Sequence, residues 1–142
     1  MDEAREDAPI GRLLWNAAHQ ITRAFDEALL GAGVSHSAWA VLVALKKRPT
    51  ASQRQIAADV GIQGATLTHH LAAMETDGLL TRRRDPANRR VHIIELTQKG
   101  EAAFVRIHEA ASAFDRRLRT GIPEAEIGQL RATLNRMIAN IA

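Results

Sequence analysis

The chain has 142 residues, of which 46% are hydrophobic, and its 19 Lys and Arg residues outnumber its 16 Asp and Glu residues by three. This length suits a single domain, and the apolar share is large enough for a folded core. The sequence contains no cysteine, which excludes disulfides, a thiol redox sensor and a zinc site built on thiolates.

The sequence gives no sign of membrane insertion or secretion. No apolar run approaches the roughly 18 residues that a membrane-spanning helix needs. The first residues, MDEAREDAPIG, are acidic and lack the apolar segment of a signal peptide. We therefore expect a cytoplasmic protein with no membrane partner.

Apolar residues at helical spacing predict two helices in the first third of the chain. The 3-4 spacing over residues 9–30 is typical of a long amphipathic helix, and glycines follow it. A second helix is predicted over residues 36–47, with Ser35 or Ser37 as its cap and Pro49 as its stop.

A helix-turn-helix is predicted next. Ser52 would cap a third helix, and Gln55, three residues later, would complete a capping box. Gly61 permits the tight turn that follows. A fourth helix is predicted over residues 63–76. Its exposed N-terminal positions are Gln63, Ala65, Thr66, Thr68, His69 and His70.

Two short strands joined by a basic turn follow this unit. The strands are predicted over residues 79–84 and 91–96, with the turn at residues 85–89. Six basic and two acidic residues lie between Leu79 and Lys99, an excess that attracts phosphates unless it is merely a solvated face. The order predicts a winged helix-turn-helix, whose fourth helix enters a DNA major groove while hairpin arginines reach the neighbouring minor groove.

Long amphipathic helices flank the winged unit. Thr97 would cap a fifth helix that ends near Arg119, and Pro123 would open a sixth. Their 3-4 spacing suits seams between helices, so we expect a homodimer. The alternative is a monomer whose terminal helices cover its own core. The predicted fold is mainly α with a small β-hairpin wing, arranged as dimerisation helices in residues 1–34 and 98–142 around a winged domain in residues 35–97, all in one compact domain.

The recognition helix and the helix starts supply the first group of candidate DNA contacts. Thr66, Thr68 and His69 suit base edges, the alternative being contact with the DNA backbone only. Helix starts carry backbone amides that bind phosphate well. The group comprises Ser35, Ser37, Ser52, Gln53, Arg54, Gln63, Ala65, Thr66, Thr68, His69 and His70.

The wing supplies the second group. A narrow minor groove concentrates negative potential and attracts arginine, so Arg90 is predicted to insert there, the alternative being a phosphate contact. Successive strand residues alternate faces, so we expect Arg82 to brace the wing and one of its two neighbours to meet phosphate. The group comprises Arg83, Arg84, Arg89 and Arg90.

A candidate effector site lies on the first helix. Trp15 and His19 share one face at i, i+4 spacing, and Arg12 precedes Trp15 by three residues. Trp39 is expected to approach from the second helix. The indole offers a stacking surface, and the basic side chains could bind an anion. The alternative is ordinary packing of two tryptophans.

No cofactor, metal site or enzymatic activity is predicted. The six histidines include no pair at i, i+3 or i, i+4 spacing, so a metal site would need ligands from separate elements. The sequence also lacks a Gly-rich phosphate loop, a nucleophile elbow and an HExxH motif.

A series of short motifs links the recognition helix to the fifth helix. The chain shows Thr66-Leu67-Thr68, Met74-Glu75, Asp77-Gly78-Leu79, Arg82, Asp85-Pro86, Asn88-Arg89-Arg90 and Leu96-Thr97-Gln98-Lys99-Gly100. From about Ile10 to Ile141 it resembles the MarR family of bacterial transcription regulators. The resemblance implies a mostly helical dimer that binds a short palindrome near promoters, as a repressor or less often an activator. Many members release DNA on binding a small, often aromatic anion.

Two positions depart from the family pattern. The family usually has an acidic residue where Asn88 stands, and that acid orients the arginine that matches Arg90. Asparagine gives no charge-assisted pairing there. Many members carry arginine where His69 stands, and histidine is shorter.

The function predicted from the sequence is a homodimeric, sequence-specific regulator of double-stranded DNA. We expect a repressor of a palindromic operator that a small aromatic or anionic effector releases. The alternative is a ligand-independent architectural DNA-binding protein.

Overall fold

The computed structural model describes residues 8–49 and 51–142, and the acidic segment at residues 1–7 lies outside them. The prediction of a mainly α fold with a small hairpin wing is confirmed. The described elements are α1 (Ile10–Gly31), α2 (His36–Lys47), α3 (Gln53–Val60), α4 (Gly64–Thr76), β1 (Leu80–Arg84), β2 (His92–Leu96), α5 (Gln98–Leu118) and α6 (Glu124–Ile141).

The chain divides into two compact units, one ending at Ala111 and the other running Ser112–Ala142. In the second unit, Arg119 Nη2 donates to both carboxylate oxygens of Glu124, at 2.9 and 3.0 Å. Gly121 adopts a φ of 76° in the turn between the helices, a left-handed conformation that glycine takes without strain. These features define the turn that leads into α6.

The core of the first unit lies between the end of α1, α2, α3, α4, the hairpin and α5. Each element turns large apolar side chains inward, as its hydrophobic periodicity predicted. No polar or charged side chain is buried within the described residues. The largest fully buried side chains are Leu29, Leu42, Ile56, Leu67, Leu71, Leu80, Ile107 and Val41.

The N-terminus of α3 is fixed by a reciprocal cap. Ser52 Oγ accepts a hydrogen bond from Gln55 N at 3.2 Å, and Gln55 Oε1 accepts from Ser52 N at 2.9 Å. The predicted capping box is therefore confirmed. At the other end of the helix, Gly61 has a φ of 76° and turns the chain towards α4.

The wing is a two-stranded antiparallel hairpin. Leu80 pairs with Leu96 at its base, and Arg84 pairs with His92 near its tip. Leu80 and Ile94 are buried, which anchors one face of the hairpin on the core. Because side chains alternate along each strand, this anchoring fixes which residues face outward.

Three contacts fasten the start of α5 to the end of α4. Thr97 Oγ1 donates to the carbonyl oxygen of Gly78 at 2.5 Å, and Lys99 Nζ donates to the carbonyl oxygen of Asp77 at 2.7 Å. Gly100 approaches the backbone so closely that a Cβ there would lie 1.9 Å from the carbonyl oxygen of Leu79. The Leu-Thr-x-Lys-Gly motif thus joins both ends of the hairpin.

Within residues 8–49 and 51–142, no single helix is both long and apolar enough to cross a membrane. Taken together, α1 and α2 have the required length and composition, but the chain bends by 82° between them.

Candidate nucleic-acid interface

Helix α4 presents a polar outer face. Its inner face is buried through Leu67, Leu71 and Met74. The positions between them are open to solvent because a helix turns about 100° per residue. The exposed set at its N-terminal end is Gln63, Ala65, Thr66, Thr68 and His69. This half of the helix can therefore approach a nucleic acid without moving the core.

His70 lies apart from this outer face. It is half-buried and lines a cavity of about 380 Å³ together with Ser35, Ser37 and Lys99. The ring centroids of His69 and His70 are 6.2 Å apart. His70, Ser35 and Ser37 thus line a cavity that the other candidate DNA contacts do not line.

A second cavity, of about 510 Å³, runs between the N-terminus of α3 and the wing. It brings together candidates from three elements that are distant in sequence. The residues that line it are Ser52, Gln53, Arg54, Thr68, Arg82, Arg90, Val91 and His92. Three arginines and a helix N-terminus around one groove favour an anionic partner, and phosphate groups fit that chemistry.

A hydrogen-bond network joins this groove to the recognition helix. Gln53 Nε2 donates to Thr68 Oγ1 at 2.6 Å. Thr68 Oγ1 in turn donates to the carbonyl oxygen of Gly64 at 3.0 Å, one turn earlier in α4. Gln53, a candidate phosphate contact, therefore positions a side chain of the recognition helix through its amide nitrogen.

The three consecutive arginines of β1 have different surroundings. Arg82 is half-buried, and Glu75 accepts hydrogen bonds from its backbone nitrogen at 3.1 Å and its guanidinium at 3.5 Å. Arg83 pairs with Glu95 across the hairpin at 3.2 Å. Within the described residues Arg84 forms no ion pair. Arg82 thus braces the wing against α4, and Arg84 is the arginine of the three whose charge remains uncompensated.

The wing turn is held by side-chain contacts to the backbone. Asp85 Oδ1 accepts from Ala87 N at 2.9 Å, and Asn88 Oδ1 accepts from Arg90 N at 3.2 Å. Asn88 therefore shapes the backbone of the turn. The guanidinium groups of Arg89 and Arg90 are exposed, and within the described part of the chain neither forms an ion pair.

Comparisons with known proteins agree with this arrangement. A family profile described as MarR family matches residues 34–92. The chain is also similar to the transcriptional repressor CouR bound to a 23-mer DNA duplex, with a TM-score of 0.80 and 30% identity over 99% of this chain and 96% of that one. The chain belongs to the MarR family. It is a DNA-binding transcriptional regulator of the MarR type.

Two further relatives extend the comparison. CouR from Rhodococcus jostii RHA1 bound to p-coumaroyl-CoA has a TM-score of 0.76 and is 28% identical over 90% of each chain. The HTH-type transcriptional regulator BilQ of Clostridium symbiosum (strain WAL-14163) is 29% identical over 105 residues, which cover 74% of this chain and 73% of that protein. MarR-type similarity therefore extends beyond the winged domain to most of the chain.

His92 lines the groove of this MarR-family protein but was absent from the sequence-based set. It opens β2 and pairs in register with Arg84. The predicted strand bounds, 79–84 and 91–96, would instead place residue 91 opposite residue 84, one residue out of the observed register. A shift of one residue turns every side chain to the other face, so the sequence did not place His92 in the groove.

The effector candidates do not form one cluster in the protomer. The Trp15 and His19 rings lie 3.9 Å apart, and His19 Nδ1 lies 3.1 Å from the Trp15 carbonyl oxygen. The Trp39 ring lies 4.9 Å from the Phe25 ring. Phe25 follows Trp15 by ten residues, about 15 Å along a helix. The expected approach of Trp39 to Trp15 is therefore wrong for a single protomer.

Trp39 lines a different cavity, of about 460 Å³, between α2 and α3. Lys47, Arg48 and Asp59 also line it. Arg48 Nη2 lies 3.4 Å from Asp59 Oδ1. The cavity therefore combines an indole with basic side chains, and it is separate from the Trp15–His19 pair. In the described residues, no three His, Asp or Glu side chains are placed to hold a metal ion.

Proposed function

We propose that this MarR-family regulator is a homodimeric repressor that binds a palindromic operator and leaves it when a small aromatic anion binds. The observation that carries the proposal is the basic groove beside the exposed outer face of α4. Phosphate contacts supply most of the affinity because they depend on charge and are independent of base sequence. Side chains on α4 and at the wing tip supply the choice of sequence.

The residue roles follow from exposure and pairing. Thr66, Thr68 and His69 are exposed on α4, so we assign contact with base edges to them. Arg90 stands at the exposed wing tip without an ionic partner among the described residues, and we assign to it insertion into the minor groove. Phosphate contact is assigned to Ser52, Arg54, Arg84 and Arg89.

The proposal of a homodimer rests on apolar side chains that one protomer leaves uncovered. The first four turns of α1 contain no buried residue, and Trp15 is 62% exposed. Helix α6 buries none of its residues, with Leu130 54% and Ile138 62% exposed. Apolar faces of this extent are typical of protein interfaces. A second copy of the chain is the proposed cover, because two-fold pairing would present two recognition helices to one palindrome.

The proposed effector is a compound with an aromatic ring and a negative charge. The rings of Trp15 and His19 lie in contact on the exposed face of α1, tilted by 34° to each other, and Arg12 is exposed one turn earlier. An indole surface beside basic groups suits such a compound. A relative that is 28% identical was crystallised with p-coumaroyl-CoA, which has both an aromatic ring and negative charges.

Binding to a labelled duplex tests the DNA half of the proposal. The duplex should come from the region upstream of the protein's own coding sequence, with a scrambled duplex of equal composition as the comparison. We expect Arg90→Ala to weaken binding at least tenfold. Arg136→Ala, which removes an equal charge from the exposed face of α6 opposite its apolar stripe, should leave affinity nearly unchanged. Equal losses in the two variants would refute a specific role for the wing.

Titration of the protein–DNA complex tests the effector half. Aromatic carboxylates and aromatic acyl-CoA thioesters that quench tryptophan fluorescence should lower operator affinity, and DNA should weaken their binding by the same factor. If every compound that binds leaves operator affinity unchanged, the protein is a ligand-independent architectural binder. We also propose a cytoplasmic location, since the chromosomal operator lies there.

A further inference from the structure

The hydroxyl group of Thr68 is engaged in the unbound protein. Its proton is donated to the carbonyl oxygen of Gly64 at 3.0 Å. One of its acceptor positions takes the hydrogen bond from Gln53 Nε2 at 2.6 Å. A hydroxyl has one proton and two lone pairs. Thr68 therefore has no proton left for a base and has only one acceptor position left.

Most base atoms at the edge of the major groove accept hydrogen bonds, so reading them requires the proton that the Thr68 hydroxyl already donates to Gly64. Guanine offers N7 and O6, adenine offers N7, and thymine offers O4, all of which accept hydrogen bonds. A side chain that cannot donate cannot read them. Thr68 keeps one acceptor position, which could meet only the amino groups of adenine or cytosine, and its methyl group. Thymine alone presents an apolar partner in this groove, the methyl at C5.

Thr66 provides the contrast within the same helix turn. Both threonines are exposed on α4. No hydrogen bond involves the Thr66 hydroxyl within the described residues, so that group can still donate to a base. The two threonines, which look equivalent in the sequence, therefore differ in what they can recognise.

We propose that Thr68 is a specificity-determining residue that recognises thymine through contact between its methyl group and the thymine methyl. Gln53 is the positioning residue that keeps the hydroxyl turned away from the bases. This inference rests on the proposed function, since it needs α4 in the major groove. It adds to that function the base that Thr68 selects, thymine, and the chemical group that makes the contact, the Thr68 methyl group.

The experiment removes a single methyl group from the protein or from the DNA. The wild-type protein first selects a preferred duplex from a library randomised over about two helical turns. Each thymine of that duplex is then replaced in turn by uracil, which lacks only the C5 methyl. Binding is measured for the wild type, Thr68→Ser, which loses the methyl, and Thr68→Val, which loses the hydroxyl. Thr66→Ser is the matched control.

We expect one thymine in each half-site whose replacement weakens wild-type binding roughly fourfold, the effect of removing one buried methyl group. Thr68→Ser should bind the uracil and thymine duplexes equally well, whereas Thr68→Val and Thr66→Ser should keep the fourfold difference. Circular dichroism melting checks that the variants are folded.

The outcomes separate the inference from the proposed function. A preferred duplex that shows no sensitivity to uracil, or a sensitivity that persists in Thr68→Ser, overturns the role of Thr68 while sequence-specific binding stands. A sensitivity that disappears in Thr66→Ser assigns the thymine to the other threonine and also overturns it. Failure of the library to yield any preferred duplex overturns the proposed function itself.

Discussion

Replacing Gly100 with alanine tests the contact that joins the wing to the end of α4. The new Cβ would lie 1.9 Å from the carbonyl oxygen of Leu79 and 3.0 Å from its carbonyl carbon. Ordinary contacts between carbon and carbonyl oxygen are about 3.3–3.6 Å. Either α5 or the start of the hairpin must therefore move by more than about 1 Å.

The movement would also disturb the hydrogen bonds around this contact. The Leu79 carbonyl oxygen accepts from Thr97 N at 3.1 Å. The Thr97 hydroxyl donates to the Gly78 carbonyl oxygen, and Lys99 donates to the Asp77 carbonyl oxygen. A typical hydrogen bond contributes about 1 kcal/mol, and overpacking costs about 1–3 kcal/mol. We expect Gly100→Ala to lower the free energy of unfolding by roughly 4 kcal/mol, a large part of the total for a domain of this size.

Gly64→Ala is the matched control. Gly64 also lies in the first turn of a helix, its φ is negative, and a Cβ there meets nothing within 4 Å. Alanine should raise stability by about 0.4–1 kcal/mol, since it lowers the entropy of the unfolded chain. Urea unfolding followed by circular dichroism at one fixed protein concentration compares the two. If the free energy of unfolding of Gly100→Ala lies within about 1 kcal/mol of the wild-type value, the size of a single hydrogen bond, the rigid close approach of Gly100 to the Leu79 carbonyl is refuted.

Four further substitutions test other parts of the structure. Ser52→Ala should cost about 1 kcal/mol in urea unfolding because it removes the cap of α3. Arg84→Ala should reduce the slope of log affinity against log salt by about 1.8, since the dimer loses one phosphate contact at each of its two wings. Arg83→Ala should reduce it by less, because Glu95 already pairs with that arginine. Equal slopes would contradict the assignment. Ile138→Glu should weaken dimerisation roughly a hundredfold in sedimentation, because a carboxylate would be buried without a partner. An unchanged sedimentation profile would count against α6 as the interface.

The elements of this fold were predictable because their signals are local. The capping box of Ser52 and Gln55 spans three residues, and Gly61 adopts the left-handed conformation at the turn where it was expected. The helical stripes and the alternating hairpin residues likewise depend on neighbours a few positions away. Each of these features could be read without knowing how distant segments pack.

The grouping of the candidate site residues was less predictable. His69 and His70 are adjacent in sequence, but only His69 is on the open face of α4. Trp15 and Trp39 were expected to meet, yet Trp39 packs on Phe25 about three helical turns from Trp15. The meeting point depends on where α2 crosses α1, and no local pattern encodes that position.

The sequence by itself therefore determined the helices, the wing and their order, since capping, turn formation and hydrophobic periodicity act over a few residues. Only the tertiary structure decided that Gln53 holds Thr68, fifteen positions away, and that Gly100 must lack a side chain because of Leu79. Contacts of this kind form when separate elements pack on a common core, and a displacement of about 1 Å is enough to make or break a hydrogen bond. That distance sensitivity is why the geometry of the DNA-binding surface had to be seen in three dimensions.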